Sequence, residues 1–144
     1  MRILIVEDDG YKSKAVIDWL NESFPDWTIE VESSYRDGCL AALKGNFNFL
    51  ILDMTLPAWM SNGAFSSETF VNGGELIIRE LIDEGVDFKA LILTQYETFN
   101  GETLDDIDTR LAGMCGDRFY GCVGYNSQED TWKVNLLNIM KNIS

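Results

Sequence analysis

The chain has 144 residues, 46% of them hydrophobic, and a formal net charge of -13 from 11 basic and 24 acidic side chains. Such a length and apolar content suit one ordinary domain with a full core, and the negative field, without a basic patch, argues against direct contact with nucleic acid or anionic lipid. With no histidine in the chain, Ser-His-Asp and Cys-His chemistry are excluded, so any acid, base or nucleophile must be a carboxylate, hydroxyl, thiol, lysine or tyrosine.

In chain order, ILIV at 3–6 is a short apolar run that ends in Glu7, Asp8 and Asp9, and residues 11–23 place Ala15, Val16, Trp19 and Leu20 at helical spacing. TIEVE at 28–32 alternates as a half-buried strand, and SYRDGCLAALKG reads as a helix with Leu40 and Leu43 on one face and Gly45 as its stop. FNFLILD at 47–53 is a buried strand ending on Asp53, and GELIIRELIDEG at 74–85 is a helix closed by glycine. FKALILT at 88–94, ETLDDIDTRLAGMC with Leu104, Ile107 and Leu111 on one face, and FYGCVGY at 119–125 continue the alternation. Ser127 with Asp130 reads as an N-cap signature for a last helix striped by Trp132, Leu136, Leu137, Met140 and Ile143.

Five short apolar strands alternating with five amphipathic helices predict a doubly wound α/β domain, because parallel strands need crossover helices and those helices cover both faces. The expectation is a five-stranded parallel sheet in the flavodoxin-like order 2-1-3-4-5, forming one domain over 1–144 with an extended loop at about 54–73. No apolar run reaches bilayer length and no signal peptide opens the chain, so a cytoplasmic protein without a membrane anchor is expected. Cys39, Cys115 and Cys122 form no CxxC pair, and free thiols are expected.

In such sheets the ligand site lies beyond the carboxyl ends of the strands. Glu7, Asp8, Asp53, Thr94 and Tyr125 fall there. If the first and third strands are neighbours, Glu7, Asp8 and Asp53 converge, and carboxylates so close require raised pKa values or a cation. Magnesium suits oxygen ligands and is commonly held by one or two carboxylates plus a substrate phosphate. Phosphoryl chemistry follows, with Asp53 as nucleophile and Thr94 as a hydroxyl able to meet a phosphate oxygen.

These residues resemble the receiver domains of two-component response regulators. ILIVEDD is similar to that family's first strand and acidic pair, LILDMTLP to the phosphoacceptor strand and its proline, and LILT to the strand carrying a switch hydroxyl. The resemblance implies Mg2+ held by Asp8, by Glu7 mainly through water, by Asp53 and by the Thr55 backbone carbonyl. It implies Asp53 as phosphoacceptor, Thr94 as switch hydroxyl, and a histidine kinase or phosphotransfer protein as donor. The output would be altered contact with a downstream protein carried on another chain, and the resemblance admits a homodimer. It implies no enzyme beyond self-phosphorylation and self-dephosphorylation.

The family places a lysine near the end of its fifth strand, where this chain has Tyr125-Asn126 and where Lys133 falls too late, within the last helix. Loss of one preorganised electrostatic group costs ~100 to 1,000-fold in rate. A phosphorylation-independent interaction module of the same fold is therefore the alternative. A haloacid-dehalogenase-type phosphatase expects a second aspartate at the position of Thr55. Cys122 stands where the family often has an aromatic, with Tyr120 and Tyr96 nearby. Trp59, Met60, Phe65 and Phe70 in the long loop either cover a local core or face a partner. Trp19, Trp27 and Trp132 read as packing residues, Gly73-Gly74 as a loop end, Asp105, Asp106 and Asp108 as helix-dipole partners, and Asp9 as a solvated acid.

Overall fold

The computed structural model describes residues 1–96 and 98–143, with the backbone alone at 98 and 99. Five strands, β1 (Arg2–Val6), β2 (Thr28–Glu32), β3 (Phe49–Leu52), β4 (Ala90–Thr94) and β5 (Phe119–Gly124), form one sheet. Every neighbouring pair in it is parallel, and the order is 2-1-3-4-5, as expected. Five helices connect and follow them: α1 (Gly10–Ser23), α2 (Tyr35–Lys44), α3 (Gly73–Asp83), α4 (Leu104–Cys115) and α5 (Thr131–Ile143).

The pleat sorts the strand residues into two cores. Leu4, Val6, Leu50, Leu52 and Ile92 pack with α2, α3 and α4 through Ala42, Ile77, Leu81, Ile107 and Leu111. Ile3, Ile5, Phe49, Ile51, Leu91 and Leu93 pack with α1 and α5 through Val16, Leu20, Trp132, Leu136 and Met140. Burying an aliphatic side chain of this kind contributes ~1.5–3 kcal/mol, so the two layers dominate the stability of the sheet.

Three expectations are corrected. Helix α2 turns Leu40 outward and buries Gly38, Cys39 and Ala42 instead. It lies so close to β1 that a Cβ on Gly38 would come 2.6 Å from Val6 Cγ1, so the buried row must be small. Ser127 does not open α5: the Asn126 side-chain oxygen accepts from Gln128 N at 2.9 Å, and the helix begins four residues after Ser127, at Thr131. Asp9 is the N-cap of α1, its carboxylate accepting from Tyr11 N and Lys12 N.

The long loop after β3 is a ribbon of two short antiparallel ladders, Leu56–Pro57 with Thr69–Phe70 and Met60–Ser61 with Ala64–Phe65. Its base is buried at Met54, Leu56 and Ala58, and Phe70 packs edge-on against Tyr35, whereas Trp59 and Phe65 at the tip are exposed. The base of the ribbon thus covers a local core, as one of the two readings expects, and the tip is open to solvent. A third ladder, Thr98–Phe99 with Glu102–Thr103, leads into α4. All three cysteines are free, and no described helix is long and apolar enough to cross a membrane.

Candidate functional site

The pleat that sorts the core also aims the acids. Each strand continues one hydrogen bond beyond its regular span: Glu7 N donates to Glu32 O at 2.9 Å, and Asp53 N donates to Val6 O at 3.0 Å. Glu7 continues the row of Ile3 and Ile5, and Asp53 the row of Phe49 and Ile51, so both point toward the α1 side. One carboxylate oxygen from each of Glu7, Asp8 and Asp53 lies within 4.8 Å of the other two. Glu7 and Asp53 are buried, and Asp8 is the more accessible of the three.

A lysine fills the same space. Lys12, on the first turn of α1, is 2% exposed. Its ammonium touches Glu7 Oε1, lies 3.5 Å from Asp53 Oδ2 and donates to the Leu93 carbonyl at 2.7 Å. Tyr125, at the end of β5, faces it with its ring, 5.6 Å from the ammonium. The remaining oxygens are engaged locally, Glu7 Oε2 accepting from Asp9 N at 3.1 Å and Asp53 Oδ1 from Met54 N at 2.8 Å. Lys12 is absent from the residues the sequence singles out, although a signal exists: residues 12, 16 and 20 form one i, i+4, i+8 row, and the other two are the buried Val16 and Leu20.

The chain matches no protein-family model. The protein y4jR of Sinorhizobium fredii, described as uncharacterized, is 28% identical over 144 residues, spanning 96% of this chain and 95% of its own. Among solved structures, the N-terminal domain of a response regulator/sensory box/GGDEF protein from Carboxydothermus hydrogenoformans aligns over 99% of this chain and 93% of that one, at 19% identity and a TM-score of 0.65. The response regulator TrrA of Thermotoga maritima, in complex with Mg2+-BeF, aligns over 96% and 97% at 18% identity and a TM-score of 0.61. The chain has the receiver-domain fold.

Within this receiver fold, Thr94 closes β4, fully buried, and its hydroxyl oxygen accepts from Tyr96 N at 3.3 Å. Tyr125 N donates to the Thr94 carbonyl at 2.8 Å, which ties the ends of β4 and β5 together. Thr94 and Tyr125 line an open cleft of about 630 Å³ together with Gln95, Asn126 and Ser127, and none of the three acids lines it. Thr55 follows Asp53 by two residues, its hydroxyl donating to the Val71 carbonyl at 3.2 Å. Lys133 stays at the surface, paired with Asp130 at 3.2 Å. Tyr120 packs edge-on against Phe49 inside the α1 and α5 layer, while Tyr96 is about half exposed. Gly74 belongs to the site's support: its N–H donates to the Met54 carbonyl at 3.1 Å, and a Cβ there would lie 2.3 Å from the Asp53 carbonyl oxygen. In the sequence, Gly73-Gly74 carries only the signal of a loop end.

Burial pushes the Glu7 carboxyl up to about 8, against the opposing pull of Lys12 and with a further upward push from Asp53. Burial also raises Asp8. The donor set fits a hard divalent cation: three carboxylates converge, only Glu7 and Asp53 pair with the one ammonium, and two negative charges stay uncompensated when all are ionised.

Proposed function

We propose that this receiver domain accepts one phosphoryl group on Asp53, in a magnesium-dependent reaction, and signals through altered protein contacts. The reading rests chiefly on the convergence of Glu7, Asp8 and Asp53 at the carboxyl edge of a receiver-type sheet, with a buried hydroxyl at the end of the next strand. By the resemblance, Asp8 and Asp53 would hold Mg2+ directly, Glu7 mainly through water, and the Thr55 carbonyl would complete the protein's share. When bound, the ion supplies positive charge to the phosphoryl oxygens.

In the transfer, a carboxylate oxygen of Asp53 attacks phosphorus, a new P–O bond forms, and the bond from phosphorus to the donor breaks, with the electron pair leaving on the donor. Met54 N orients the Asp53 carboxylate, and Thr94 offers a hydroxyl to the incoming group. The donor is a phosphohistidine on a kinase or phosphotransfer protein, and the chain turns over no external substrate. The second reading, a phosphorylation-independent interaction module, draws on Lys12, which already neutralises part of the cluster.

Incubation with Mg2+ and acetyl phosphate, followed by intact mass, separates the two. One added phosphoryl group that requires Mg2+ and disappears in Asp53→Asn is expected. An unmodified chain, with no Mg2+-dependent uptake of beryllofluoride, favours the interaction module.

A further inference from the structure

A buried lysine inside a cluster of acids has two explanations: it braces the fold, or it handles charge for the chemistry at Asp53. Geometry favours the second. An ammonium carries three donors; one is committed to the Leu93 carbonyl at 2.7 Å, which fixes the side chain from β4. The ammonium then contacts Glu7 but stands 3.5 Å from Asp53 Oδ2, outside good hydrogen-bond distance. It is therefore held beside the nucleophile without being spent on it. The Tyr125 ring closes the far side at 5.6 Å and, with its residue 9% exposed, keeps water away from the charge.

Burying an ammonium carries a desolvation penalty of several kcal/mol. As a pure brace, Lys12 is a poor solution, since it leaves two of the three acids uncompensated and Glu7 Oε1 without a hydrogen bond of good geometry. As a preorganised positive charge at the place where phosphoryl oxygens gather negative charge, it is a good one, because such groups act most strongly in a site that excludes water.

We infer that Lys12 is the resident cation of the acceptor site: α1 delivers an ammonium that stabilises the phosphoryl group on its way to Asp53 and competes with the metal for the acids' charge. The inference rests on the receiver reading above. Its signature is two quantities moving in opposite directions. In Lys12→Met, which keeps most of the side-chain volume, Mg2+ affinity by calorimetry tightens about tenfold as one positive charge leaves the cluster. At saturating Mg2+, the rate of phosphoryl uptake from acetyl phosphate falls ~100-fold or more.

A merely structural lysine gives a different result: metal affinity and uptake fall together, or neither changes, and either outcome overturns the inference. A second measurement needs no variant. In the unaltered chain saturated with Mg2+, the Lys12 Nζ resonance moves when beryllofluoride is added, and an unmoved resonance in a chain that binds beryllofluoride overturns the inference equally. If the unaltered chain neither takes up phosphoryl nor binds beryllofluoride, the receiver reading itself falls and takes the inference with it. Equal uptake by both chains removes Lys12's role alone.

Discussion

Two glutamates in this chain are buried almost equally, Glu7 at 4% exposure and Glu75 at 3%, yet their surroundings drive them in opposite directions. Glu75, on α3, faces two guanidiniums: Arg79 at 2.8 Å, one turn along the same helix, and Arg110 at 2.7 Å on α4, which also holds Glu102. Burial alone would raise its carboxyl, but the hydrogen bonds from Arg110 and Arg79 outweigh that and leave it below the ordinary value. Glu7 is raised chiefly by burial, which the one ammonium it shares with two further acids does not offset. The first cluster is neutral and clamps α3, α4 and the ladder before α4; the second is short of positive charge. Two arginines overcome burial at the brace, and one shared lysine does not at the site.

The largest effect expected of a substitution falls on the brace. Glu75→Gln lowers stability by ~3 kcal/mol in urea unfolding, because it leaves cations without their buried partner; an unchanged midpoint would break the distinction. Next comes pH. The Glu7 carboxyl is raised above its unfolded value of 4.5, so its contribution to metal-free stability is full below pH 4.5 and is lost as pH rises through about 8, with a slope of at most ~1.4 kcal/mol per unit. Mg2+ should flatten that loss, and urea midpoints across the range with and without the ion check it.

A smaller effect of opposite sign belongs to the acceptor. Asp53→Asn raises metal-free stability by ~1 kcal/mol by relieving carboxylate crowding, and abolishes the stabilisation by Mg2+. A destabilised variant would mean that Asp53 sits in a balanced network like that of Glu75. The smallest effect is at the tip of the ribbon, where Trp59→Ser with Phe65→Ser should change thermal stability by less than ~0.5 kcal/mol, since both side chains are exposed.

Much of this organisation was legible in the sequence for simple reasons. Strands at 3–6, 28–32, 47–53 and 119–125 show as apolar or alternating runs, and crossover helices make them parallel, so the convergence of Glu7, Asp8 and Asp53 is legible in the sequence. Lys12 was hidden because lysine is read as a surface residue by default, although its register with Val16 and Leu20 placed it inward. The resemblance expects a cation from the last strand, near Tyr125 and Lys133, whereas the ammonium arrives from α1 and Tyr125 supplies the wall it faces. The Glu75 brace was equally hidden, since its partners lie 4 and 35 residues away, and only the second pairing joins two helices.

The charge shortfall at the acid cluster is tested most directly by titrating the metal-free chain with Mg2+ near pH 7, by calorimetry in two buffers of different ionisation heat. One ion bound per chain is predicted, with proton release on binding as Glu7 ionises, and with both signals weakened in Asp53→Asn. Absence of saturable binding, or binding that moves no proton and ignores Asp53, would contradict it.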